Sequence, residues 1–432
     1  MDELVALTPM SNFPHWPAPA GRPFRARVAL PGSKSLTNRE LLLSAIANAP
    51  TLLIAPLVSR DSKLMISALE SLGIGFEWQG ENLLVTPRPL IGGASIDCGL
   101  AGTVMRFVPP LSLLVDGIVK FDGDEGARRR PMDITIDSLR GLGAHVECDA
   151  PALPFSVRSA GEILGGELEI DASASSQFVS GLLLVAARFK QGLTLRHMGS
   201  ELPSLPHIEM TLATLRSRGV DARSLDERSW RVEPGEISGG EVIIEPDLSN
   251  AGPFLAAAMV CGGEITIPNW PRETTQVGAE FERILPLMGA NVHREGADLV
   301  VSGSGRIHGL DIDLSIGGEL APTIAALAAL ADTPSRITGI AHLRGHETDR
   351  LAALTTEINN LGGTCRELPD GLAITPAELI GGQWSTYEDH RMATAGAIIG
   401  LAVANVQVEN IATTSKTIPE FVNLWTRMLE SN

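Results

Sequence analysis

Two hydropathy patterns share the chain. Apolar stretches of helical density alternate with short runs in which apolar and polar residues take turns, and the pairing returns at a regular interval. The clearest marker is a phrase of the form Leu-x-x-Leu-Gly, with variations. It ends at Gly73, Gly143, Gly219, Gly289 and Gly362, which are 70, 76, 70 and 73 residues apart. Each glycine stands where an amphipathic helix should stop, as a left-handed cap. An alternating stretch follows each one: Ile74 to Trp78, Ala144 to Cys148, Val220 to Arg223, Ala290 to His293 and Gly363 to Arg366. These predict strands, and second strands such as Asn82–Val85 and Asp298–Val301 follow after a turn.

A second phrase lies upstream of each of those helices. A loop of small polar residues leads into an apolar helix, near Gly32, Cys98, Asp171, Asp247, Asp313 and Tyr387. The first reads Pro31-Gly32-Ser33-Lys34-Ser35-Leu36-Thr37-Asn38-Arg39-Glu40 before Leu41, Leu42, Leu43, Ala45 and Ile46. The unit is therefore strand, loop, helix, two strands and helix, in about six copies of roughly 70 residues, with the last cut short at Asn432. Glu245-Pro246 opens the fourth copy and divides the chain into two pseudo-symmetric halves of three. A strand at Arg25 to Leu30 could pair in either half. By symmetry the helix-leading loops gather at one end of each half, and would line a cleft wherever two halves face each other.

A chain of 432 residues exceeds one ordinary core. Only 4% is aromatic, with a single tyrosine, so the cores are built from Leu, Ile, Val and Ala. The net charge of −17 argues against nonspecific binding to nucleic acid or to an anionic membrane. Cys98, Cys148, Cys261 and Cys365 are widely spaced, which suits reduced thiols rather than disulfides or zinc. Met1 to Asn12 lacks the pattern of a signal peptide, and the longest apolar stretch, Ala393 to Ala404, is too short to span a bilayer. A cytoplasmic protein is expected.

Positive charge is instead concentrated in loops. Helix N-termini with free N–H groups favour anions, and the loops add Lys34, Arg39, Arg106, Arg128-Arg129-Arg130, Arg350, Arg391 and Lys416, with hydroxyls at Ser35, Ser175, Ser176 and Ser204. Each arginine alone could be a solvated surface group, Ser175 a plain cap, and Glu319 a first-turn acid. Their recurrence at every helix-leading loop points to ligands bearing phosphate or carboxylate. His342 and His346 share a helical spacing, but Gly345 intervenes and no third ligand is near, so no metal is expected.

The phrases PGSKSLTNR, AGTVMR, RRRPM, SASSQF, ETDR, EDHRM and SKTIPEF, in order from about residue 25 to 428, resemble the 5-enolpyruvylshikimate-3-phosphate synthase family. The resemblance implies an α/β (α+β) chain with two pseudo-symmetric domains, each of three βαβαββ repeats in an inside-out α/β barrel. It places residues 1–32 with 246–432 in one domain and 33–245 in the other, joined by a two-strand hinge. It implies transfer of the enolpyruvyl group of phosphoenolpyruvate to the 5-hydroxyl of shikimate 3-phosphate, without a cofactor, in a monomer.

Carried over by motif, shikimate 3-phosphate would meet Lys34, Ser35, Arg39, Ser175, Ser176, Gln177, Ser204, Glu319 and His346. Phosphoenolpyruvate would meet Lys34, Gly102, Arg130, Gln177, Arg350, Arg391 and Lys416. Glu319 and Glu347 would be the acid/base pair, with Lys34 also catalytic. Four positions depart from the family pattern: Glu319 replaces an Asp, His346 a Lys, Leu100 an Asn and His207 a Tyr. His346 makes charge at its position depend on pH. Two rivals remain. The sister transferase acting on UDP-N-acetylglucosamine usually carries a cysteine in the loop that here reads Gly123 to Arg130, with Glu125 and no cysteine. A noncatalytic receptor of phosphorylated metabolites would have no need of Glu319 and Glu347.

Overall fold

The computed structural model describes residues 15–200, 202 and 204–431. The segment expected to lack a signal sequence, 1–12, lies outside the described residues. The chain forms two compact units. The central unit comprises Pro31–Asp247 with Glu273–Gln276, and the discontinuous unit comprises the remainder, Met1–Leu30, Leu248–Arg272 and Val277–Asn432. The short segment Glu273–Gln276 was not foreseen. Thr274 and the side chain of Gln276 donate to Glu245 at 2.6 and 2.8 Å, which ties that segment to the central unit.

The central unit holds three four-stranded sheets of one design. In one, strand 95–97 runs parallel to 116–122, and 155–160 lies antiparallel between 116–122 and 145–148. Helices 102–111 and 133–141 make the two crossovers, giving a complete βαβαββ unit. Strands 166–170, 193–197, 222–226 and 229–232 repeat it with helices 176–186 and 205–217. The remaining copy is permuted: its first strand, 240–243, comes last in sequence and pairs parallel with 51–54.

The discontinuous unit follows the same plan. Strand 25–27 pairs parallel with 264–267, which settles its placement in this unit. A second four-stranded sheet holds strands 311–313, 335–338, 364–368 and 371–375. The copy cut short in sequence becomes a three-stranded sheet, because strand 15–17 adds antiparallel to 407–409. Among the described residues no sheet joins another by strand pairing. The inside-out barrel is thus helices packed within separate sheets, not a closed hydrogen-bonded barrel.

All five repeat-marking glycines have positive φ, from 83° at Gly362 to 99° at Gly289, as the expected caps require. The first helix of each repeat is buried all round, not merely along one stripe. Helix 321–329 buries all nine residues, and helix 390–402 buries eleven of its thirteen. This explains the apolar Ala393–Ala404 stretch; no described helix is long and apolar enough to cross a membrane. Small residues let such helices touch. A Cβ at Gly181 would lie 2.2 Å from the Arg106 carbonyl oxygen, so helices 102–111 and 176–186 meet backbone to backbone.

Candidate functional site

In the central unit the helix-leading loops deliver their side chains as N-terminal residues. Ser33 caps helix 34–45, its hydroxyl accepting from the Leu36 N–H, and Lys34 is the first helical residue. The Lys34 N–H donates to Asp247 at 3.1 Å, and its ammonium stands 4.0 Å from Asp61. Ser175 caps helix 176–186 by accepting from the Gln177 N–H. Ser204, at φ +57°, precedes helix 205–217, with Pro206 in the first turn. Helix 102–111 begins at Gly102 with no side-chain cap. A Cβ there would lie 3.2 Å from the Gln177 amide oxygen and 3.3–3.4 Å from the Arg130 amino nitrogens. Gly102, Gln177 and Arg130 therefore converge around an open helix N-terminus, the arrangement an anion requires.

Arg39 is placed differently. It is 2% exposed, and its guanidinium lies 5.3 Å over the Phe107 ring. It donates to Thr211 Oγ1 (2.8 Å), to the Ser35 carbonyl (2.9 Å), to the His207 carbonyl (2.9 Å) and to Ser180 Oγ (3.4 Å). Its contacts reach Ser35 and His207 through their backbones, which makes it a strut between helices 34–45 and 205–217. Arg106 is likewise 4% exposed over Phe178, and its Nε has no hydrogen-bond partner among the described residues. Burial, and then the charge of Arg130, push its guanidinium well below the usual arginine range. Leu100 supplies packing where the family has a polar residue: a Cβ at Gly126 would lie 3.1 Å from its Cδ1.

The discontinuous unit assembles charges into a network. Asp389, fully buried, accepts from Arg350 Nε (2.7 Å) and Nη2 (3.2 Å). It also caps helix 390–402 through the Arg391 N–H at 2.8 Å. The Arg391 guanidinium reaches to 3.9 Å from Glu319, which also accepts from the Ser249 hydroxyl. Glu347 stands between Lys416 Nζ at 2.7 Å and His390 Nδ1 at 3.1 Å. Burial alone would raise its carboxyl, but His390, Lys416 and Arg350 outweigh that and hold it well below the usual carboxylate range. Glu347 therefore rests ionised.

Removal from bulk water, then the Arg350 and His342 charges, push His346 down to about 3. The residue is nonetheless exposed, so screening trims that displacement, but its direction is fixed by Arg350 Nη1 only 3.4 Å from His346 Nδ1. Arg350 beside it thus favours the neutral imidazole at the position where the sequence placed a pH-dependent charge. Ligand atoms of Glu347, Asp389 and His390 lie within 4.8 Å of one another. Arg350 and Lys416 already neutralise the two carboxylates, so a divalent cation would have to displace them.

The sequence-derived site residues thus fall into two sets. Gly102, Arg130 and Gln177 meet in the central unit. Glu319, Glu347, Arg350, Arg391, Lys416 and His346 meet in the discontinuous unit. Sequence reasoning did not assign roles to Asp389 and His390, although both stand in the quoted EDHRM phrase, nor to Ser249, Asp61 and Asp247.

A family model for EPSP synthase (3-phosphoshikimate 1-carboxyvinyltransferase) matches residues 19–425. The chain belongs to the EPSP synthase family. It is 56% identical over 430 residues to a Kocuria rhizophila protein named 3-phosphoshikimate 1-carboxyvinyltransferase, covering 96% of this chain and 97% of that one. Among solved structures, an EPSP synthase from Acinetobacter baumannii matches with a TM-score of 0.80 at 22% identity, over 95% of this chain and 97% of that one. The enolpyruvyl transferase NikO from Streptomyces tendae matches with a TM-score of 0.73 at 15% identity, over 95% and 96%. At those identities the two structures speak for the fold alone.

Proposed function

We propose that this chain transfers the enolpyruvyl group of phosphoenolpyruvate to the 5-hydroxyl of shikimate 3-phosphate, releasing phosphate, as a step of the shikimate pathway. The observation that carries the reading is a carboxylate built in among cations: Glu347 between Lys416 and His390, beside Arg350. A receptor for anions gains nothing from that acid, whereas addition–elimination needs proton carriers.

Lys34, Ser35, Arg39, Ser175, Ser176, Gln177 and Ser204 in the central unit, and Glu319 and His346 in the other, are the proposed shikimate 3-phosphate residues. Arg39 would serve mainly by fixing Ser35. Lys34, Gly102, Arg130 and Gln177, with Arg350, Arg391 and Lys416 of the discontinuous unit, are the proposed phosphoenolpyruvate residues. In the addition step C3 of the enol gains a proton, the hydroxyl oxygen bonds to C2, and a carboxylate takes the hydroxyl proton. In the elimination step the C2–O bond to phosphate breaks, and a methyl proton is lost. Glu319 and Glu347 are the proposed proton carriers, and the cations stabilise the carboxylate and phosphate charge. We place the protein in the cytoplasm as a monomer, since its thiols are unpaired and one chain carries the whole residue set.

The test is phosphate release from phosphoenolpyruvate with either shikimate 3-phosphate or UDP-N-acetylglucosamine as acceptor. Release with the first only is expected. Release with the second only, or with neither, overturns the proposal.

A further inference from the structure

The loop that delivers Asp389, His390 and Arg391 holds a backbone that its own residues resist. Tyr387 and Glu388 stand consecutively at φ +53° and +58°. That is the left-handed region, disfavoured for residues with a long side chain on Cβ. Such a turn persists only where its surroundings over-determine it.

The support comes from helix 350–360. Glu357, 2% exposed, accepts the Tyr387 hydroxyl at 2.7 Å with one carboxylate oxygen and the Ser385 N–H at 2.9 Å with the other. About two turns earlier on the same face, Arg350 holds Asp389 with its two bonds. One helix thus grips the loop on both sides of Glu388. The Asp389 N–H closes the turn onto the Thr386 carbonyl at 2.8 Å. The Tyr387 side chain is 40% exposed, but partial desolvation of its hydroxyl and then the bond to Glu357 push that hydroxyl up to about 12, so it stays a donor throughout the neutral range.

We propose that Tyr387 and Glu357 are positioning residues whose hydrogen bond fixes this strained turn, and with it the start of helix 390–402 and the aim of Arg391 at an anionic substrate. The proposal rests on the reading of Arg391 as a phosphoenolpyruvate ligand. Tyr387→Phe deletes one hydroxyl and leaves the ring.

The experiment compares Tyr387→Phe, Glu357→Leu, their double variant and Glu357→Gln. In Tyr387→Phe and Glu357→Leu the KM for phosphoenolpyruvate should rise about tenfold, while that for shikimate 3-phosphate stays within about twofold. The double variant should be no worse than the larger single, because the two act through one bond. Glu357→Gln can still accept from Ser385 and donate to the tyrosyl oxygen, so it should recover most of the loss. Amide hydrogen exchange across 384–392 should quicken in the first two variants and stay unchanged elsewhere.

An unchanged phosphoenolpyruvate KM with unchanged exchange overturns the proposal. So does a parallel rise in both KM values with exchange quickened throughout, which is general loosening. If exchange quickens locally but the wild-type chain releases no phosphate, the turn's support stands and the site's functional reading is what fails.

Discussion

Beneath the proposed phosphate-binding helix lies a buried ion pair whose behaviour can be predicted with a sign and a size. Glu40 follows Arg39 on helix 34–45 and is 5% exposed; Arg218, 3% exposed, closes helix 205–217. Arg218 Nη1 approaches Glu40 Oε2 to 3.3 Å, yet neither atom has a hydrogen-bond partner among the described residues. The other amino nitrogen of Arg218 is spent on Thr51 at 2.8 Å and Ser44 at 3.4 Å. Burial pushes the Glu40 carboxyl from its ordinary 4.5 up to about 7 against the pull of Arg218, and burial lowers Arg218 as well. Both partners are displaced toward their neutral forms, so desolvation outweighs their attraction.

The pH dependence follows from that displacement. Between 4.5 and about 7 the folded chain holds a proton on Glu40 that the unfolded chain has lost. Stability is therefore fully present below the lower value and falls as pH rises to the upper one. The slope approaches about 1.4 kcal/mol per pH unit, for a total of about 3 kcal/mol. Glu40→Gln keeps the shape of the protonated acid and cannot ionise. It should match the wild type at about pH 4 and exceed it by about 3 kcal/mol at about pH 8, as read from urea midpoints. The opposing expectation is that breaking a buried pair costs about 3–5 kcal/mol by stranding Arg218. If Glu40→Gln is the less stable protein at the higher pH, the ionised Glu40 is well paired with Arg218, and the reasoning from desolvation is refuted.

Three further outcomes are expected at the proposed site. Lys34→Met should lower kcat by about 10²–10³ with the circular dichroism unchanged, because Ser33 caps the helix without it; near-wild-type turnover would remove Lys34 from the site. Glu347→Gln and Glu319→Gln should each lower kcat by roughly 10²–10⁴ with smaller changes in KM, and an effect on KM alone would make that residue a binding group. Asp389→Ala strands the buried Arg350 and should lower stability by about 3–5 kcal/mol in thermal unfolding, with no change arguing that the pair is not formed.

The repeat was legible because two local signals recur together, a helix-ending glycine and an alternating strand after it, and both are dictated by backbone chemistry within a few residues. Strand partnership was not legible in the same way. Residues 15–17 complete the sheet of 407–409, and 240–243 complete that of 51–54. Those pairings span most of a unit in sequence, and a three- or four-residue strand carries too little pattern to specify its partner. The sixth repeat looked truncated partly for that reason: one of its missing strands stands at the other end of the chain.

At the site, sequence identified which loops carry charge but not which way each charge points. Lys34, Arg130 and Arg391 stay partly open near helix N-termini, while Arg39 and Arg106 turn inward over Phe107 and Phe178. All five have the same local signature, a cation within a turn or so of a small polar loop. What separates them is whether a neighbouring helix offers carbonyls, hydroxyls and an aromatic face at arm's length, as Thr211, His207 and Phe107 do for Arg39. That depends on how closely buried helices approach, which is set by residues such as Gly181 far away in sequence. An arginine turned inward still serves the site: by holding the Ser35 carbonyl, Arg39 fixes the loop whose N–H groups and hydroxyl would meet an anion. Replacing it with lysine would keep the charge and lose the fork, so the loss should appear as looser substrate binding rather than as a missing contact.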